Sequence, residues 1–94
     1  MAEKTIAKRL RITGNVQGVS FRAFTHDTAE EAGLDGWVRN EADGSVRALV
    51  SGPRDSVERL VERLRTGPPG AWVDAIEEED ATGETVPAGF HVTG

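Results

Sequence analysis

The chain has 94 residues, no cysteine and a formal net charge of −5 at pH 7. That length suits one domain with a single core, and the lack of cysteine excludes disulfides, thiolate metal sites and thiol nucleophiles. The acidic balance argues against a general affinity for nucleic acid, and no apolar run is long enough for a secretory h-region or a membrane span, so residues 1–94 are expected to form a single cytoplasmic domain.

Lys8, Leu10 and Ile12 alternate with Arg9, Arg11 and Thr13, which predicts a first strand with one buried face. The segment Gly14-Asn15-Val16-Gln17-Gly18-Val19-Ser20-Phe21-Arg22 leads from that strand into an amphipathic helix over about residues 21–32. Phe21, Phe24, Thr28 and Ala32 share one stripe of this helix, and Gly33 stops it. In Gly36-Trp37-Val38-Arg39-Asn40-Glu41-Ala42-Asp43-Gly44-Ser45-Val46, two strands flank an Asp-Gly turn, and Val46, Ala48 and Val50 share a face of the second. Pro53 opens a second helix, where Val57, Leu60, Val61 and Leu64 fall at i, i+3, i+4 and i+7, and Gly67-Pro68-Pro69-Gly70 ends it. A fourth strand is expected over about residues 72–77, a solvated acidic loop over 77–85, and a short fifth strand at Phe90-His91-Val92. Trp37 and Trp72 are expected at the core or its rim. The order βαββαβ predicts an α+β ferredoxin-like sandwich: a four- to five-stranded antiparallel sheet with both helices on one face.

The first junction carries the chemistry. Glycines at 14 and 18 let a loop turn successive backbone N–H groups inward, and the N-terminus of the following helix adds partial positive charge. Cations are not favoured at a helix N-terminus, so Arg22 in the first turn points to an anionic ligand that its fork can grip. With the overall charge repelling anions, phosphate must be held by these local dipoles and by Arg22. Alone, Gly14 and Gly18 would be ordinary turn glycines, Arg22 a surface partner of Asp27 or Glu30, and Asn40 a turn-former. His26 among Asp27, Glu30 and Glu31 reads as a solvated histidine, as does His91. The run Glu77-Glu78-Glu79-Asp80 lacks metal-ligand spacing.

Together these two segments resemble the acylphosphatase family. Residues 14–22 match its phosphate loop, Gly-x-Val-Gln-Gly-Val-x-Phe-Arg, and residues 36–46 its Gly-Trp-Val-x-Asn…Asp-Gly-x-Val segment. The likeness continues through Gly52-Pro53 and 67–70 to Phe90. It implies hydrolysis of the carboxyl–phosphate bond of a small-molecule acyl phosphate by direct attack of water at phosphorus. It further implies that Arg22 and Asn40 are catalytic: Arg22 binds the phosphate and Asn40 orients the water. Asn15, Val16, Gln17, Gly18, Val19, Ser20 and Phe21 form the phosphate-binding loop, with the Gln17 amide bracing it and Val16 and Val19 anchoring it. No cofactor and no metal is implied, and a monomer is expected. Three features depart from the family: Asn15 stands where arginine is common, Glu41 puts a carboxylate beside Asn40, able to repel substrate or alter the pH profile, and Phe90-His91-Val92-Thr93-Gly94 lacks the arginine or tyrosine that often closes the last strand.

Two other readings remain. One is a non-catalytic module that binds phosphate or carbamoyl phosphate; the presence of both Arg22 and Asn40 counts against it. The other is nucleic-acid binding, because the RNA-recognition motif shares the βαββαβ order. Ser45-Val46-Arg47-Ala48-Leu49-Val50 lacks the stacking aromatics that reading needs on its third strand.

Overall fold

A computed structural model describes residues 4–94. The elements follow in the order β1 (Thr5–Asn15), α1 (Phe21–Glu31), β2 (Asp35–Asn40), β3 (Val46–Pro53), α2 (Arg54–Thr66), β4 (Trp72–Asp80) and β5 (Phe90–Val92). The five strands form one sheet in the order β4-β1-β3-β2-β5. The ferredoxin-like fold expected from the sequence is present, with one refinement of the sheet: β2 and β5 pair in parallel, while the other pairs are antiparallel.

Alternation decides which face is core. In β1, Ile6, Leu10 and Ile12 are buried towards the helices, and in β3 Val46, Ala48 and Val50 meet them there. The α2 stripe is the predicted one, with Val57, Leu60, Val61 and Leu64 all buried. Each such side chain contributes about 1.5–3 kcal/mol relative to exposure. In α1 the buried set is Phe21, Thr25, Thr28 and Ala29. The expected stripe is therefore corrected at two positions: Phe24 is half-buried and Ala32 is exposed. The helix is rotated so that Ala29 faces the core, where its small side chain permits close packing, and the buried Thr25 hydroxyl donates to the Phe21 carbonyl (2.9 Å).

The acidic run is not a loop. Residues 77–80 complete β4, opposite Arg11, Leu10, Arg9 and Lys8 of β1. Their carboxylates stay exposed but meet cations: Glu78 accepts from Lys8 at 2.7 Å, Glu79 from Arg9 at 2.5 Å and Glu77 from Arg11 at 2.9 Å. Cross-strand charge pairs of this kind support an edge strand with little apolar content.

β4 and β5 lie at opposite edges of the sheet, so residues 81–89 must cross it. They do so on the face away from the helices, where Ala81 and Val86 pack with Ala7, Leu49 and Trp37. Trp37 is half-buried at this strap, whereas Trp72 is 71% exposed at the end of β4. Among the described residues no helix is long and apolar enough to cross a membrane.

Candidate active site

The site begins where β1 leaves the sheet. The β1–β4 register shifts between Thr13 and Gly14, and Gly14 has φ +126°. A Cβ at Gly14 would overlap the Trp72 carbonyl oxygen and the Asp74 nitrogen, so only glycine lets the two strands approach here. Val16 then drops into the core, 1% exposed, and Val19 packs against it half-buried, so both act as anchors. Between and after them the backbone turns left-handed, with φ +75° at Gly18 and +63° at Ser20.

Ser20 caps α1 without a side-chain hydrogen bond, and no acidic residue occupies the first turn. Among the described residues, no hydrogen bond is formed by the backbone N–H groups of Gln17, Gly18, Val19, Ser20 or Phe21. A run of free donors at a helix N-terminus is a ready place for an anion.

The Gln17 side chain points away from this loop. Its Nε2 donates to the carbonyls of Glu41 (2.8 Å) and Ser45 (2.9 Å), which brace the turn between β2 and β3. That turn spans residues 41–45 and is closed by Glu41 N–H to Ser45 O at 2.9 Å and Gly44 N–H to Glu41 O at 3.2 Å. Asp43 Oδ1 accepts from the Ser45 N–H (2.9 Å) and hydroxyl (2.6 Å). The Ser45 hydroxyl, then the Ser45 N–H and then Arg11, hold the Asp43 carboxyl well below the usual carboxylate range.

Asn40, the last residue of β2, brings its side chain to the loop. Its Oδ1 is buried and has no hydrogen-bond partner among the described residues. An unpaired buried carbonyl oxygen costs about 1–3 kcal/mol, so its persistence calls for a donor supplied from outside the protein. Its backbone N–H donates to Gly94 O at 3.2 Å, and the same oxygen accepts from Arg22 Nη1. A cleft of about 440 Å³ is lined by Val16, Gly18, Ser20, Phe21, Arg22, Ala23, Asn40 and Val92.

The fold therefore brings six of the sequence-derived residues to one cleft: Val16, Gly18, Ser20, Phe21, Arg22 and Asn40. Asn15, opposite Trp72 at the end of β1, lies outside the lining, as do Gln17 and Val19. The sequence reading missed Ala23, Val92 and Gly94. Ala23 lies one residue beyond the loop motif. Val92 and Gly94 reach the site only because β5 pairs in parallel with β2 after the strap, which no local pattern announces.

The carboxylate of Glu41 does not enter the cleft. Alternation sends it to the opposite face of the sheet, where it accepts from Arg39 (3.2 Å) and Arg47 (3.3 Å). His26 likewise stays outside, between Asp27 (3.1 Å) and Glu30 (3.0 Å).

Known proteins resemble this chain along most of its length. A family model described as acylphosphatase matches residues 8–92. An acylphosphatase of Rhizobium meliloti (strain 1021) is 50% identical over 93 residues, covering 99% of this chain and 98% of that protein. Among solved structures, an acylphosphatase from Coxiella burnetii superposes with a TM-score of 0.89 at 37% identity, covering 95% of this chain and 93% of that one. One from Bacillus subtilis has a TM-score of 0.89 at 32% identity, covering 95% and 99%.

Proposed function

Since the chain belongs to the acylphosphatase family, we propose that it hydrolyses small acyl phosphates to a carboxylate and inorganic phosphate, with Arg22 and Asn40 as its catalytic residues. The observation that carries the proposal is the buried, unpartnered Oδ1 of Asn40 on the wall of the cleft that also holds Arg22 and the free N–H loop.

The substrate phosphate sits in the loop of residues 15–21, taking hydrogen bonds from its backbone N–H groups, while the Arg22 fork closes over a further oxygen in exchange for Gly94 O. Water donates one hydrogen bond to Asn40 Oδ1, which satisfies that oxygen and aims a water lone pair at phosphorus. The new O–P bond forms as the P–O bond to the acyl group breaks, and the electron pair leaves on a carboxylate. The water proton passes to a phosphate oxygen. A carboxylate leaving group needs little acid assistance, so positioning and charge stabilisation suffice without a metal. The enzyme acts as a cytoplasmic monomer and takes no nucleic acid. In support of the last point, Arg9, Arg11, Arg39 and Arg47 on the open sheet face are all paired with carboxylates.

Hydrolysis of benzoyl phosphate, followed by absorbance in excess chelator, tests this. Arg22→Ala is expected to reduce the rate by about 10³–10⁵ and to weaken inhibition by inorganic phosphate. Asn40→Ala is expected to lower kcat by about 10²–10³ while leaving phosphate inhibition intact. Wild-type turnover in Asn40→Ala would remove it from the mechanism. A folded wild type that binds phosphate without turnover would leave a binding module.

A further inference from the structure

Gln17 is half-buried beneath the phosphate loop, with both amide hydrogens committed across a gap of more than twenty residues in sequence. Its two acceptors are the carbonyls that open and close the 41–45 turn, and the first of them belongs to the residue directly after Asn40. The loop that would hold phosphate and the strand end that would hold water are thus joined by one side chain. Beside it, Asn40 is held by the β2–β3 ladder, where it pairs with Val46 as Ile12 of β1 does, and by its backbone N–H on Gly94 O.

The geometry points to Gln17 as a positioning residue for hydrolysis: its amide fixes the distance and angle between the loop cradling the phosphate and the Asn40 carbonyl that aims the water. The inference rests on the proposed role of Asn40. The design follows from the donors available. An –NH₂ offers two N–H groups in a fixed plane, and both are used here on carbonyls of one turn. Glutamate would set carboxylate oxygens against two carbonyl oxygens, and methionine would keep the bulk without the donors. Neither acceptor would be left bare, because Glu41 O also accepts from Gly44 N–H and Ser45 O from Glu41 N–H. Loss of the amide should therefore spare the turn and release its alignment with the loop. Misplacement of a water-orienting group by about 1 Å is enough to lose about a hundredfold in rate.

The test measures kcat and KM for benzoyl phosphate and competitive inhibition by inorganic phosphate in wild type, Gln17→Met, Asn40→Ala and the double variant. Gln17→Met is expected to lower kcat by about ten- to hundredfold, with phosphate inhibition unchanged. The double variant is expected to match Asn40→Ala within about twofold, because a residue that acts through Asn40 has nothing to align once Asn40 is gone. Losses that multiply in the double variant would overturn the inference, as would a Gln17→Met kcat equal to wild type. So would phosphate affinity falling in step with kcat, which would mark a collapsed loop. If Gln17→Met fails to fold, Gln17→Asn serves instead: its shorter amide reaches at most one of the two carbonyls, and an intermediate kcat is expected. An Asn40→Ala protein with wild-type kcat would overturn the reading of Asn40 and this inference together, whereas a slow Asn40→Ala beside a fast Gln17→Met would overturn this inference alone.

Discussion

Ser20 and Asn40 both hold conformations or contacts that a protein relaxed for stability alone would lack. Ser20 is the one described non-glycine residue with positive φ, at +63°, and its side chain makes no capping hydrogen bond. A left-handed residue with a Cβ costs about 1–2 kcal/mol, and glycine returns part of that through its greater freedom in the unfolded chain. Ser20→Gly is therefore expected to stabilise the protein by about 0.5–1 kcal/mol, read as a higher urea midpoint with an unchanged slope. A lower midpoint would mean that the hydroxyl makes a contact worth more than the strain. Asn40 Oδ1 is the complementary case, a buried acceptor without a donor among the described residues. Of these residue-scale features, the motif made Arg22, Asn40 and the loop glycines legible. The Gln17 acceptors were not legible, since they lie in a turn whose position depends on the folded hairpin.

Legibility at the scale of elements followed apolar periodicity. The four aliphatic side chains of α2 give its period outright, whereas α1 mixes Thr25, Thr28 and Ala29 with its phenylalanines, so its stripe was read about one position off. Beyond Ile76, β4 has no apolar alternation at all. Its strand state comes from pairing with Lys8, Arg9 and Arg11 on β1, information that sits some 70 residues away in the chain. The same ladder makes a prediction at Gly14, where β1 and β4 come too close for any side chain. Gly14→Ala forces its Cβ onto the backbone of residues 72–74 as well as into a φ of +126°. The expected loss is about 3 kcal/mol or more, the upper end for backbone strain, because neither clashing atom is a movable side chain. Thermal unfolding measures it; a loss of under 1 kcal/mol, by the same scale, would mean that the edge strand yields easily.

Charge is the property that belongs to the whole molecule. A net −5 is spread so that the open sheet face, with Arg9, Arg11, Arg39 and Arg47, is matched by Glu41, Asp43, Glu77, Glu79 and Glu84, while among the described residues Arg22 meets the Gly94 oxygen and no Asp or Glu side chain. Exposed ion pairs of this sort contribute little individually. The stability that depends on pH should come instead from carboxylates gripped by hydrogen bonds. Asp43 is held below its ordinary value first by the Ser45 hydroxyl and N–H, with Arg11 adding to them, and Asp80 is lowered first by the Thr82 hydroxyl and N–H. A carboxylate whose folded-state pKa is depressed binds protons more weakly than in the unfolded chain. Its contribution is therefore complete above the unfolded value of about 4 and is lost as the pH falls through the folded one. Asp43→Asn is accordingly expected to be less stable than wild type at neutral pH, with the gap narrowing as the pH drops below about 4. Urea midpoints for the two proteins at neutral pH and at successively lower values below 4 measure that gap. Since the leading causes are short hydrogen bonds within one turn, high salt should trim only the Arg11 share and leave most of the gap in place. A gap that stays constant with pH would mean that Asp43 acts through its shape in the turn and not through its charge. A gap that disappears in high salt at neutral pH would transfer its role to the pair with Arg11.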